Sequence, residues 1–266
     1  MEHDLAATAR HAAAAGAKTL RRFWGQHLAV ENKSRFDFVT DADRASQDAV
    51  LGAIRARHPG HAVLAEEDAG AYPPPEAHQG VLWVVDPLDG TTNFIHGFPH
   101  VAVSVAALKD GKPVVGVVVD VTRDEEFWAL AGLGAWVGQR QMKVSAQADP
   151  ARSLVHTGFP FRDKDRLQKY LGLFAEVFGQ VSGVRRAGAA ALDLAYVAAG
   201  RGEGFWEMGL KPWDLAAGIL LVTEAGGLVS DFDGGGESLW RGDVVAANPA
   251  LHPMLRAACG KYFPGG

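Results

Sequence analysis

The chain has little of what would tie it to a membrane, a nucleic acid or a disulfide framework. Its single cysteine, Cys259, excludes an intramolecular disulfide and a thiolate zinc cluster and suits a reducing cytoplasm. No apolar run reaches the length that spans a bilayer. The alanine-rich start is interrupted by Arg10, His11, Lys18, Arg21 and Arg22, so it reads as an amphipathic helix rather than a signal segment. Positive charge is also scarce. The net charge of −5 gives no electrostatic reason to expect a nucleic-acid partner. There is no internal repeat or low-complexity tail. The ten histidines are scattered, with no pair at metal-binding spacing on one helix.

What is present describes a globular protein of 266 residues, 48% hydrophobic and 21% charged, long enough for one large domain or two intimate halves. The chain is organised around Trp83 to Phe94. An apolar run, Val81 to Val85, reads as a buried strand and ends in Asp86-Pro87-Leu88-Asp89-Gly90-Thr91-Thr92. Pro87 fixes its own backbone and restricts that of Asp86. The string can therefore set two carboxylates and the Leu88 carbonyl together at the strand end. Oxygen donors of this kind suit a hard divalent cation. A helical turn opening at Gly90-Thr91 would add N–H groups suited to phosphate.

Along the chain, residues 4–24 form a helix. Phe36, Phe38 and Thr40 alternate as a short strand, after which Asp41 or Asp43 caps a helix that Pro59-Gly60 stops. His61 to Ala65 is a strand running into Glu66-Glu67-Asp68, and Tyr72 to Pro75 a surface loop. Val101 to Leu108 and Val114 to Val119 form a hairpin, and Glu126 to Leu130 and Ala135 to Val137 continue the meander. After a connector near residues 146–151, strands are expected at 154–157, 183–185, 204–207 and 244–247. Helices are expected at 164–178, 189–199, 213–225 and 250–258. Mixed order with antiparallel meanders gives an α+β layered fold, with an N-terminal half at 1–150 and a C-terminal half at 151–266.

Four acidic sites fall at element ends: Asp43, Glu66-Glu67, Asp86 with Asp89, and Asp214. Taken singly, Asp43 is an ordinary helix cap, Glu66-Glu67 a solvated turn and Asp214 an acid favoured by a helix dipole. The Asp-Pro-Leu-Asp-Gly-Thr-Thr string is not explained in that way. Together the acids would repel unless cations bridged them, and two cations can clamp the attacking and leaving oxygens of an in-line displacement at phosphorus.

Asp86 to Phe94 resembles the first signature of the inositol monophosphatase family. Lys211-Pro212-Trp213-Asp214-Leu215-Ala216-Ala217-Gly218, with Glu224-Ala225-Gly226-Gly227, resembles the second. Val39 to Asp43 and Glu66-Glu67 match in order and spacing. The resemblance implies an alternating α/β/α/β/α sandwich, a homodimer, and a lithium-sensitive, Mg2+-dependent phosphomonoesterase using two to three ions. It implies Glu66, Asp86 and the Leu88 carbonyl at one ion, Asp86, Asp89 and Asp214 at a second, and Glu66 at a weaker third. Gly90, Thr91 and Lys33 correspond to phosphate contacts. Asp43 and Thr91 correspond to the pair that activates the attacking water, with Glu67 helping to hold it. Asp89, Gly188, Ala189, Ala190, Glu207, Arg185 and Lys211 correspond to the surroundings of the alcohol; Lys211 stands where some relatives carry histidine. Phe159-Pro160-Phe161 and His96 or His100 are further pocket candidates, against the plainer reading as packing and local hydrogen bonds.

The implied substrate is a small phosphorylated polyol, first of all myo-inositol 1-phosphate. Histidinol phosphate and fructose 1,6-bisphosphate are alternatives on the same fold. A nucleotide 3′-phosphatase is disfavoured by the lack of an added adenine-binding insertion. A non-catalytic regulatory role with the transcription machinery, known for a bacterial member, is the reading from another class.

Overall fold

The computed structural model describes residues 2–26, 29–34, 37–68, 79–160 and 164–265, with the side chains of 32–34 and 37 outside that description. Phe36, the loop at 72–75, Phe161 and the Lys33 side chain therefore lie outside the described residues.

The outermost layer is a helix pair, α1 (Glu2–Phe23) and α2 (Asp41–Arg57). On α1, Leu5, Ala9, Ala12, Ala13, Ala17 and Leu20 are fully buried. Their three- and four-residue spacing makes one apolar stripe, and alanine lets the two helices approach closely. Gly16 carries this furthest, because a side-chain carbon there would meet Val50 and Ser46 of α2. The pair covers one face of a seven-stranded sheet, packing on Trp83, Val85, Val103, Val105, Val117 and Val119.

That sheet runs in the order β3 (Ala62–Ala65), β4 (Val81–Asp89), β5 (Ala102–Lys109), β6 (Lys112–Asp120), β7 (Glu125–Leu130), β8 (Gly134–Val137), β9 (Arg140–Gln141). β3 and β4 are parallel; every later pair is antiparallel. β5 and β6 turn at Asp110 and Gly111, both with positive φ (50° and 79°), the backbone of the tight hairpin the sequence signals there. A small ribbon, β1 (Val30–Ser34) with β2 (Asp37–Thr40), stands apart.

The opposite face of the sheet is covered by α5 (Ala190–Ala198) and α6 (Pro212–Glu224). These helices are apolar on nearly all sides because they are sandwiched. Beyond them lies a five-stranded sheet, ordered β11 (Gly183–Arg185), β10 (Leu154–Thr157), β12 (Gly204–Glu207), β14 (Val244–Ala247), β13 (Leu228–Ser230). The last layer is α4 (Leu167–Phe178) with α8 (His252–Tyr262), over a core that includes Trp206, Tyr170 and Phe232. Two short helices, α3 (Thr91–Ile95) and α7 (Ser238–Arg241), and 3-10 turns at Glu66–Asp68, Pro150–Arg152 and Lys164–Arg166 complete the described elements. The architecture is the expected alternation of α and β layers.

Three local expectations are corrected. Neither Asp41 nor Asp43 is the N-cap of α2. Thr40 is, and Asp43 closes the capping box from the third helical position, so the motif is threonine plus aspartate with the acid on the inner turn. The strand at 81–85 does not stop at Asp86. It runs to Asp89, pairing Asp86 with Ser104 and Asp89 with Ala102 across a register shift. One extra residue on β4 makes a bulge, a place where a strand tolerates a proline. β1, β9, β13 and α7 were not anticipated; each is five residues or fewer, too short for a periodic signal.

No described helix is long and apolar enough to cross a membrane.

The central layers meet most closely where β6 crosses α6. A carbon added at Gly116 would lie 2.8 Å from the Ala217 carbonyl oxygen and 3.0 Å from its Cα. Both are backbone atoms and cannot swing aside. Gly116→Ala is expected to cost about 1–3 kcal/mol by overpacking, read as a lower urea midpoint with an unchanged slope.

Candidate functional site: an acidic cleft at four element ends

Each acid is fixed by the element that ends beside it. On β4, the Asp86 Oδ1 accepts from the Leu88 N–H at 2.9 Å, an Asx turn across Pro87. Ser46 of α2 donates to the Pro87 carbonyl at 2.7 Å, so the bulge is held from the helical layer. Gln47, one residue on, holds the 3-10 turn Glu66–Asp68: its carbonyl accepts from the Glu67 N–H at 3.2 Å, and its amide donates to Asp68 at 3.0 Å. Asp214 lies in the first turn of α6, where its Oδ2 accepts from the Lys211 N–H at 2.7 Å. Ser104 of β5 donates to the Trp213 carbonyl at 3.2 Å, tying that turn to the sheet. Asp89 reaches across to α5, accepting from Ala191 N–H at 2.8 Å and Leu192 N–H at 3.4 Å. The N-cap of α5 is Ala189, which has no capping side chain. Asp89 supplies the missing cap from another element, where the helix start favours negative charge.

The result is that Asp86, Asp89 and Asp214 each bring a carboxylate oxygen within 4.8 Å of the others. Asp86 and Asp89 are buried. Burial pushes the Asp86 carboxyl well above its usual range, and the charges of Glu66, Asp89 and Asp214 push it further, as does a hydrogen bond shared with Glu66. Asp89 is raised by burial and then by Asp214 and Asp193, against the two α5 amides that favour its charged form. Three oxygen donors crowded against their own electrostatics, with Glu66 beside them, are the donor set a divalent cation resolves. The residues present fit such an ion.

Asp43 and Thr91 also come together. The Thr91 hydroxyl donates to Asp43 Oδ1 at 3.0 Å, with the Leu88 carbonyl at 3.2 Å. The other Asp43 oxygen takes the Thr40 N–H at 2.8 Å and the Thr40 hydroxyl at 2.6 Å. Thr91 opens α3 behind Gly90, whose φ of 93° is a left-handed conformation natural to glycine. A side chain there would also meet the His100 carbonyl and Gly188.

The cluster faces a cavity of about 340 Å3. Of the residues the resemblance nominates, Glu66, Asp86, Leu88, Asp89, Gly90, Thr91, Gly188, Ala190, Glu207 and Asp214 line it. Glu207 sits buried in the wall; burial pushes its carboxyl well up, Asp193 and Asp214 add to this, and Arg186 opposes it. Asp43, Glu67, Ala189, Arg185 and Lys211 are not among the lining residues. Arg185 is exposed, with its guanidinium turned to the Val184 carbonyl at 3.2 Å. The arginine that does line the cavity is Arg186. It follows directly on the three-residue strand β11, which ends at Arg185.

Sequence reasoning missed Phe38, Thr92, Asn93, Gly158, Lys164 and Leu210, all of which line the cavity. Gly158 had a signal, since it follows a clean strand beside Phe159-Pro160: any side chain there would overlap the Glu207 carboxylate. Phe159 itself stacks with Phe174 and packs on Tyr170, which is the packing role. His96 is exposed and His100 is buried on Asp193 at 3.1 Å, which is the local hydrogen bond.

Comparison with known proteins agrees with the geometry. The model of the inositol monophosphatase family matches residues 1–262. A Pseudomonas aeruginosa protein named Nus factor SuhB is 48% identical over 239 residues, 89% of this chain and 88% of that protein. An inositol-1-monophosphatase of Mesorhizobium japonicum is 42% identical over 252 residues, 94% of each. The crystal structure of extragenic suppressor protein suhB from Bartonella henselae superposes with a TM-score of 0.90 at 38% identity, covering 97% of this chain and 99% of that one. With the family model spanning nearly its whole length and the paired signatures folded onto one cleft, the chain belongs to the inositol monophosphatase family.

Proposed function

We propose that the protein hydrolyses a small phosphate monoester in the presence of Mg2+, with myo-inositol 1-phosphate as the first substrate to try. The observation that carries this reading is the convergence of Asp86, Asp89 and Asp214 in one cavity with Thr91, whose hydroxyl is hydrogen-bonded to Asp43. Glu66, Asp86, Asp89, Asp214 and the Leu88 carbonyl would hold two to three ions. Bound Mg2+ supplies the positive charge that phosphoryl oxygens need in the transition state. The residues 1–150 would carry most of these ligands, and residues 151–266 would carry Asp214 and the polyol side, as one catalytic unit.

The chain's own groups divide the remaining work. The Thr91 hydroxyl donates a hydrogen bond to Asp43, which leaves an oxygen lone pair to accept a proton from an attacking water as the hydroxyl's own proton passes to Asp43. The N–H groups at Gly90-Thr91, at the start of α3, would face the ester phosphate, with Lys33 as a further contact. Glu67 would assist the water from outside the cavity lining. On the polyol side, Glu207, Gly188, Ala189 and Ala190 are proposed to read hydroxyls, with Arg186 nearer than Arg185 or Lys211. Water attacks phosphorus directly, without a phosphoenzyme. Hydrolysis in 18O-water is expected to place the label in phosphate; label in the alcohol would exclude the scheme.

The name of the P. aeruginosa relative favours a second reading, a regulatory role with the transcription machinery. Phosphate release from a panel of inositol 1-phosphate, histidinol phosphate and fructose 1,6-bisphosphate, with and without Mg2+, separates the two. Turnover on none of them would leave the regulatory reading.

Two mutations test the roles. Asp86→Asn removes the acid at the centre of the cluster and is expected to lower kcat at saturating Mg2+ by at least about 100-fold, the lower end of the range for general acid–base and electrostatic groups. Because it also relieves repulsion among buried carboxylates, its melting temperature without divalent ions is expected to equal or exceed the parent's, and the rise on adding Mg2+ should be smaller. Near-normal turnover would remove Asp86 from the site. Glu207→Ala should raise KM for inositol 1-phosphate more than it lowers kcat, since its proposed contact is with the alcohol and not with the phosphoryl group.

A further inference from the structure

Beneath the cleft, a buried carboxylate outside the proposed ligand set holds two histidines. Asp193 Oδ1 lies 3.1 Å from His100 Nε2 and 3.1 Å from His156 Nδ1. The three side chains are 1%, 8% and 5% exposed respectively. Tyr196, one turn along α5, stands edge-on to both imidazoles. The other ring nitrogen of His156 has no hydrogen-bond partner among the described residues, so Asp193 is the only polar reason for that imidazole to be buried. Although burial acts to raise the Asp193 carboxyl, the two histidines bring it below its ordinary range, and it stays charged.

The positions these residues occupy matter more than the cluster itself. Asp193 lies in the first turn of α5, next to the Ala191 and Leu192 amides that grip Asp89. His156 is on β10, two residues before Gly158 in the cavity wall. His100 follows α3, and its carbonyl accepts from Asn93 at 2.8 Å. The same Asn93 amide donates to the Ala187 carbonyl at 2.9 Å, on the segment that leads into α5. The hydrogen bonds therefore close a circuit: α3 to the 187–188 segment, along α5 to Asp193, through His100 and back to α3. The start of α5 cannot rotate or withdraw without breaking it.

We propose that Asp193 is a positioning residue, which through His100 and His156 fixes the start of α5 and thereby holds Asp89 in the geometry that binds a divalent ion beside the phosphate turn. This rests on the metal reading above. Hydrogen-bonded groups behind a ligand set its orientation, and losing one weakens metal binding or activity by about 10- to 100-fold.

The test is Mn2+ binding by the full-length protein, followed by electron paramagnetic resonance of the free ion, so that the readout does not depend on turnover. Asp193→Asn and His100→Ala are expected to weaken Mn2+ binding by about 10- to 100-fold. They should shift the Mg2+ half-saturation of phosphate release in parallel and leave KM for the ester close to the parent value. His100→Gln, whose amide keeps an N–H near the position of Nε2, should recover part of the lost affinity. If Asp193→Asn does not fold, the His100→Ala and His100→Gln pair decides. Variants with lowered melting temperatures but parental Mn2+ affinity would make the cluster purely structural and overturn the inference. A parent protein that binds no Mn2+ would overturn the metal reading and this inference with it.

Discussion

The cleft depends on acids that are held together against their mutual repulsion. Asp86, Asp89 and Asp214 would separate if their side chains were free to rotate, because burial strengthens every interaction between like charges. Backbone N–H groups prevent this. Asp86 is turned by Leu88, Asp214 by the start of its own helix, and Asp89 by the start of a helix more than a hundred residues away. Each acid satisfies main-chain donors that would otherwise be unpaired, so the folded backbone stabilises the negative charge that the cluster concentrates. The strain left over is the driving force for cation binding in the proposed function.

The layers explain why the acids arrive together. The helix pair α1–α2 on one side of the large sheet supplies Asp43 and the clamps Ser46 and Gln47. The sandwiched helices on the other side supply Asp214 and the amides for Asp89. The bulge in β4 is the pivot, because it turns Asp86 and Asp89 to one side within four residues. A strand without the extra residue would send alternate side chains to opposite faces.

Most of this was legible from sequence where period and punctuation agree. Strands 154–157, 183–185, 204–207 and 244–247 fall at the expected residues because they are short apolar runs between turn residues. Asp86 and Asp89 could be nominated because Asp-Pro-Leu-Asp-Gly-Thr-Thr has no simpler use, whereas Asp43, Glu66 and Asp214 needed the resemblance to single them out. What was not legible required long-range contact. The strand was expected to stop at Val85 because proline and acid argue against a strand interior; only pairing with β5 carries it to Asp89. Arg186 was passed over for Arg185 because two adjacent arginines at the end of a three-residue strand give no sign of which faces inward. Asp193 looked like an ordinary residue of an apolar helix, since its two histidine partners are 37 and 93 positions distant.

Gly158 leaves in the cavity wall the space that the Glu207 carboxylate fills. Even a methyl group there would displace that carboxylate. On the proposed reading, a single codon at position 158 bears on the part of the wall that faces the alcohol. A lineage on this scaffold would then have one small step open to it for changing which ester it accepts.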